Sequence, residues 1–567
     1  MIWKNRGRKF VSGRVTPILL GPFLRDPLEV FLLAVRLALS CAALAVLPRA
    51  QDRATPTPEA GRKAPAAQAR PKIPTDRRDG DKLRLGLADC LLLGDTANVD
   101  LRLSRLQVLQ AAQDVNVADA IFEPELFAEA EWARAESPPR NTFQPSVTST
   151  IYRGSIGLRK RVVTGGTLEL AFNPRYTDQK VNSTFAFPTK FYSGAVSFTL
   201  SQPLLRGAWT DYTLADLRAA KHEERARRSD QLRTRQTVLE QVVSAYYELV
   251  FARENWVVRY QGLELAREQL RNTEKKIELG DLAPLDIVAD QADVSKKEED
   301  LITAEVAILD AEDALRRLVL PFKEAEDWDV VILPTDDLGG QDPTLRIPPF
   351  EEALENARKH RPDLEASRRR VASATQDLLQ SRRDLLPGLD LTAIYSSAAQ
   401  ANTFGQLQRD LTQSDFPAYV VRLGFSLPLG NLAAQSRYRK SKLAVEQAQS
   451  GLQVLLVDIH MGVREGVRAL RTLEKRIAAT RESVRLAVSN LDAEQKRLEL
   501  GTQTQFEVQR RNQELEDART RLIRDRLDYR MAWFHLLTAM GRMEPESKLP
   551  TSAPESTRAG SGKKPKK

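Results

Sequence analysis

The chain has 567 residues, 28% of them charged and only 6% aromatic, and its 85 basic and 76 acidic side chains leave a formal net charge of +9. So many charges beside so few bulky rings exclude one thick globular core and favour long helices that each bury a narrow stripe. Two cysteines, Cys41 and Cys90, exclude a disulfide framework.

Residues 1–50 read as an export signal. Lys4, Arg6, Arg8, Lys9, Arg14 and Arg25 form a long basic region, and the apolar run 37–47 follows it. That run has the length of a signal core and falls short of the roughly 20 residues of a spanning helix. Cleavage is expected after Ala45 or Ala50. Cys41 is a candidate for lipidation, although Ala38-Leu39-Ser40-Cys41 lacks a leucine three places before the cysteine. Residues 51–82, rich in Ala, Pro, Arg and Asp, are expected to be a flexible linker.

A first repeat is expected over 83–330. From about 125 to 203 apolar and polar residues alternate. Tyr152, Ile156 and Leu158 alternate with Arg153, Ser155 and Arg159, and Leu168, Leu170 and Phe172 with Thr167, Glu169 and Asn173. From about 208 to 320 the period becomes helical. Leu239, Val242, Tyr246, Leu249, Trp256, Tyr260, Leu263, Leu270 and Ile277 lie on one coiled-coil seam. The seam breaks at 280–284, where Gly280 allows one helix to stop and Pro284 suits the first turn of the next. A helix reaching from Pro203 to Gly280 would be on the order of 110 Å long.

An inter-repeat linker is expected over 331–347 and a second repeat over 348–543, with strands at about 388–429 and a helical hairpin at about 432–541 turning at 501–504. Lys276-Ile277-Glu278-Leu279-Gly280 is echoed by Arg497-Leu498-Glu499-Leu500-Gly501. Asp100-Leu101 precedes Pro124 by the same 24 residues that separate Asp363-Leu364 from Pro387. Equal spacing argues for one helix-strand-helix unit used twice. The first repeat carries 38 more residues in its strand region than the second, matching a hairpin that turns at Thr164-Gly165-Gly166. That hairpin either adds two strands to the same wall or folds over its mouth. Residues 544–567, ending in Lys563, Lys564, Lys566 and Lys567, are expected to form a disordered basic tail rather than a nucleic-acid arm.

Alternation by itself suits a soluble sandwich as well as a membrane barrel. The export signal, the lack of an apolar spanning stretch and strands set between very long helices favour a barrel, because only a closed barrel satisfies every backbone group of a sheet in lipid. Each repeat offers too few strands to close, so several copies are required.

The duplicated plan, the segments Pro203-Leu204-Leu205-Arg206-Gly207 and Pro428-Leu429-Gly430, and the turns at Gly280 and Gly501 resemble the TolC-like outer membrane efflux proteins over residues 83–543. The resemblance implies an α+β membrane protein: a homotrimer whose long coiled-coil hairpins form an α-barrel continuous with a transmembrane β-barrel. It implies an outer membrane channel with its helical part in the periplasm, acting as a passive export duct in tripartite efflux or type I secretion. A periplasmic adaptor (membrane fusion protein) and an inner-membrane transporter are the implied partners, with outer membrane lipid around the barrel. Leu279, Gly280, Leu282, Leu500 and Gly501 are the expected adaptor-docking tips. The family often narrows its periplasmic end with carboxylates after the second turn. Glu507 matches the first of these, and Arg510 stands where a second is common, so the constriction candidates are Glu507, Arg510, Asp286 and Asp290.

Catalytic residues, a cofactor and a resident metal are not expected. His222, His360, His460 and His535 occur singly without metal-ligand spacing, and Thr164-Gly165-Gly166 lacks the Lys-Ser or Lys-Thr pair of a phosphate loop. The competing reading is a periplasmic coiled-coil scaffold or adaptor that is not itself a channel. A soluble coiled-coil enzyme subunit is disfavoured by the export signal.

Overall fold

The computed structural model describes residues 78–79, 82–138, 147–181, 189–279, 285–320, 330–336, 346–413, 416–500 and 502–547. The signal, Cys41 and the basic tail lie outside these residues. The described residues form two compact units, one drawn from 119–214 and 380–435, the other from 78–118, 215–379 and 436–547.

The repeat is legible in helix lengths. In the first half, α1 (Leu87–Ala97) has 11 residues, α2 (Val99–Ala120) 22, α4 (Ala215–Glu278) 64 and α5 (Asp286–Val319) 34. In the second half, α6 (Phe350–His360) has 11, α7 (Pro362–Arg383) 22, α9 (Leu432–Glu499) 68 and α10 (Gln505–Ala539) 35. Four matched lengths in matched order make duplication the simplest account. A one-turn α3 (Thr210–Thr213) precedes α4.

In the helical unit α4 is the hub. Of its expected seam, Leu239, Val242, Tyr246, Leu249 and Leu263 are buried, whereas Trp256, Leu270 and Ile277 are half-buried and Tyr260 is exposed, so the stripe is enclosed mainly in the first part of the run. Leu239, Val242, Tyr246 and Leu249 share a core with Leu83, Leu85, Cys90 and Leu91, Leu315 and Val319 of α5, and Leu527 and Phe534 of α10. Gly94 lets α1 lie close on α4, since a Cβ there would come within 2.8 Å of Val242. A second core joins Ala353 and Ala357 of α6 and Leu364 of α7 to Ile459, Val463, Val467 and Leu470 of α9 and Tyr529 and Leu536 of α10. Burial holds the Cys90 thiol well above the ordinary range, so it is inert.

Two expected linkers contribute strands. β1 (Arg78–Asp79) pairs antiparallel with β2 (Lys82–Leu85), and β2 pairs in parallel with β7 (Val331–Pro334). The reason is burial: Leu83, Leu85 and Ile332 are fully enclosed in the α4 core. Arg253 fastens this edge by donating to the Ile332 carbonyl at 3.0 Å while pairing with Glu312.

The other unit is one antiparallel sheet of β3 (Glu125–Ser137), β4 (Val147–Arg161), β5 (Thr167–Val181), β6 (Lys190–Pro203), β8 (Gly388–Ala401) and β9 (Pro417–Ser426), in the order β3-β4-β5-β6-β8-β9. The extra residues of the first repeat are therefore β4 and β5, which stand inside the sheet between β3 and β6. Helix α8 (Phe404–Gln413), not anticipated from the sequence, joins β8 to β9. Its buried Leu407 and Leu411 pack with Ala399 against Phe172 and Tyr192.

Candidate functional site

The sheet has two chemically distinct faces. Leu126 is opposite Leu158, Leu158 opposite Leu170, Leu170 opposite Phe198, Phe198 opposite Tyr395, and Tyr395 opposite Tyr419. This one apolar row crosses all six strands, and because strand side chains alternate, Val421, Leu423 and Phe425 of β9 extend the same face. These side chains are not covered: Leu126 is 56% exposed, Leu158 and Leu170 are each 50%, Tyr419 75% and Phe425 66%. In water such a surface would be a large liability. A second row, Trp132, Tyr152, Tyr176 and Tyr192, lies in direct register nearer the far ends of the strands. Tyr152 and Tyr176 have ring centroids 6.1 Å apart, Tyr176 and Tyr192 4.8 Å, and Phe404 of α8 continues the row. Aromatic rows at a fixed height are what a bilayer interface selects.

Between these rows the apolar face carries no charge, Arg134, Glu136, Lys160, Asp178 and Lys190 of that face lying beyond them, and the charges there belong to the opposite face. Arg153 pairs with Glu131 at 3.1 Å and Arg159 with Glu169 at 2.9 Å, and Arg159 also lies over the Phe127 ring. The β4-β5 turn is held to the strand-to-helix junction by three bonds. Trp209 N donates to the Thr164 carbonyl at 3.0 Å, Gln202 Nε2 donates to the same carbonyl at 3.0 Å, and Thr164 Oγ1 donates to Gln202 Oε1 at 2.9 Å. Gly165 sits in this turn at φ 91°, where a Cβ would fall 2.1 Å from the Gly207 carbonyl oxygen.

In the helical unit, the α4 and α9 tips end in Leu279 and Leu500, 77% and 79% exposed. Two leucines thus stand in water at equivalent turns. Gly280, Leu282 and Gly501 lie outside the described residues. Past the second tip, Phe506 is 68% exposed.

The constriction candidates fall into different environments. Glu507 pairs with Arg510 at 2.7 Å on the first turns of α10, and Arg510 also approaches Glu514 at 3.8 Å. Asp286 is the first residue of α5, and its side chain lies outside the described set. Asp290 departs from the expectation of a lumen carboxylate: it is 1% exposed in this subunit and accepts a bond from Gln509 Nε2 at 2.5 Å, while its Oδ2 has no partner. It faces α10 because it lies seven residues before Lys297 and fourteen before Ala304, all on the buried heptad stripe of α5.

Sequence reasoning missed the polar contacts inside the helix pairs. Lys297 Nζ of α5 donates to Glu516 Oε2 of α10 at 2.7 Å and to Gln513 at 2.8 Å, and Arg259 of α4 lies 3.5 Å from the same carboxylate. Burial pushes the Glu516 carboxyl up, and the bond from Lys297 pulls it part of the way back. Asp525 of α10 is buried between Arg476 and Thr480 of α9. The available signal was a charge at an interior heptad position, but the partner lies on another helix, 219 residues away for Lys297 and 49 for Asp525. Among the described residues no group of three or more His, Cys, Asp or Glu side chains could hold a metal, and no helix is long and apolar enough to cross a membrane.

Comparison with known proteins agrees with this geometry. The family model described as "Outer membrane efflux protein" matches residues 96–319 and 353–542. The outer membrane efflux protein BepC of Brucella suis is 25% identical over 379 residues, covering 66% of this chain and 78% of BepC. The outer membrane protein TolC of Vibrio cholerae is 23% identical over 352 residues, covering 61% and 76%. The fold is shared with the Campylobacter jejuni CmeC outer membrane channel, at TM-score 0.59 and 16% identity over 82% of this chain and 87% of that one. VceC of Vibrio cholerae gives 0.60 and 17% over 80% and 96%.

Proposed function

Since this chain belongs to the outer membrane efflux protein family, we propose that three copies form a passive export duct, fed by an inner-membrane transporter through a periplasmic adaptor. The chain is an outer membrane efflux channel protein, with its helical part in the periplasm. The observation that carries the reading is the uncovered apolar row from Leu126 to Tyr419. A soluble sandwich would bury it, whereas hydrocarbon solvates it and leaves the charged face to a water-filled lumen. Solute passes through, and no bond is made or broken.

Leu279 and Leu500, with Gly280, Leu282 and Gly501 beside them, are proposed as the tips that an adaptor grips. Glu507 and Arg510 are proposed to line the narrow end together, so that the carboxylate's attraction for cations is largely offset by the guanidinium. Two measurements test the function. The protein should stay with the membrane through carbonate and high-salt washes, and the detergent-extracted protein should conduct in planar bilayers once its periplasmic end is loosened. Release by carbonate, or a bilayer that stays silent, would return the case to a periplasmic scaffold.

A further inference from the structure

Sheet order and edge chemistry point to an unusually wide wall. We propose that the membrane section is an eighteen-stranded barrel, six strands from each copy, in which β9 of one subunit pairs with β3 of the next. The proposal rests on the trimeric reading above and adds to it the seam and the width.

One subunit presents a six-stranded sheet in which β3 and β9 each have a neighbour on one side only. Hydrocarbon does not tolerate an open edge, since no water is there to satisfy its unpaired N–H and C=O groups. Within one chain the sheet stays open, since β3 and β9 are not paired with each other, and six strands would leave too narrow an interior for a duct. A second copy of this chain is the occupant that fits. Strands β3 and β9 run in opposite directions, having odd and even places in an antiparallel sheet, so a head-to-tail contact between copies is antiparallel. Leu126 and Trp132 of β3 lie on the same face as Val421 and Phe425 of β9, so the seam joins apolar to apolar. The whole of β9 is exposed in the single subunit, as an unmet edge should be.

The added hairpin sets the width. β4 is paired to β3 from end to end, Glu125 with Arg159 through Ser137 with Val147, and β5 is paired to β6 from Thr167 to Asp178. Both are full members of the wall, not a cover over its mouth. With strands about 4.8 Å apart and tilted about 40°, eighteen strands enclose a backbone diameter of about 36 Å, against about 24 Å for the twelve that would remain without the hairpin. Inward side chains remove about 10 Å from either figure. The free bore of about 26 Å would pass bulky hydrated solutes, up to a small folded polypeptide, without touching them. Size selection then lies outside the barrel.

The test uses the full chain in outer membranes. Cysteines at Val421, Leu423 or Phe425 are each combined with one at Ala128, Ala130 or Trp132, and oxidised. At least one pair should give a ladder of linked subunits that stops at three. A ladder that stops at two or runs past three overturns the trimer while keeping the seam, and the absence of any ladder overturns the seam. Width is read independently by electron cryomicroscopy of the unmodified protein in detergent. A cross-section near 36 Å with eighteen strands is expected, and one near 24 Å with twelve would overturn the proposal. A variant with residues 139–188 replaced by Asn-Gly, which joins β3 directly to β6, should exclude polyethylene glycols about half as wide as those admitted from the outer side by the unaltered duct. Equal exclusion sizes count against the wide wall.

Discussion

Lys297 of α5 and Glu516 of α10 form a buried ion pair, 2.7 Å apart, with both side chains less than a tenth exposed. Gly262 makes room for it: a Cβ at that position of α4 would stand 2.3 Å from Glu516 Oε1. Removing Glu516 strands the Lys297 ammonium in the helix interface, so Glu516→Met should destabilise by about 3–5 kcal/mol, and Lys297→Met by less, because Arg259 still lies 3.5 Å from the carboxylate. The double replacement Lys297→Met with Glu516→Met should recover most of that loss. Melting of the detergent-solubilised protein measures all three, and simple additivity of the single losses would refute the pairing as the cause.

The apolar face should discriminate sharply against charge. Phe198→Arg puts a guanidinium in the row that crosses the sheet, at an expected cost of roughly 2–4 kcal/mol. Thr199→Arg, one residue on, falls on the charged face opposite Glu169 and should fold nearly as well as the parent. Yields of assembled protein in outer membranes compare the two. Equal losses would mean that both faces meet the same medium.

Gly165 should resist every substitution. Its φ of 91° disfavours any side chain, and an added Cβ meets the Gly207 carbonyl at 2.1 Å. Gly165→Ala is expected to lower the recovered channel by several fold through misplacement of the β4-β5 turn. Parent-like recovery with unchanged heat resistance would show that the turn is free to shift.

Arg510 should govern ion preference if it shares the narrow end with Glu507. Arg510→Gln unmasks the carboxylate and should raise cation over anion permeability, while Glu507→Gln should move it the other way. Reversal potentials under a salt gradient decide. No movement from either variant places the narrowing elsewhere.

His535 of α10 contacts Glu240 of α4, and that bond raises the imidazole above its ordinary 6.5. A raised folded value means that the contact stabilises below about pH 6.5 and fades as pH climbs through the folded value. The melting advantage of the parent over His535→Gln should therefore be largest in mild acid and shrink as pH rises above 6.5. An advantage that grows with pH would contradict the assignment.

Much of this molecule was legible before folding. The stripe from Leu239 to Ile277, the echo of Leu279-Gly280 in Leu500-Gly501 and the strict alternation around Tyr152 and Leu170 are local periodicities, and periodicity fixes which side of an element is apolar. That was enough for a duplicated helix-strand-helix plan and a two-faced sheet. The tertiary structure alone decided that β4 and β5 stand between β3 and β6, that Leu83 and Ile332 draw supposed linkers into strands, that α8 lies on the sheet, and that Asp290 and Lys297 turn toward α10. Each of these depends on partners far apart in the chain, and no local pattern records which distant surface a strand edge or a buried charge will find.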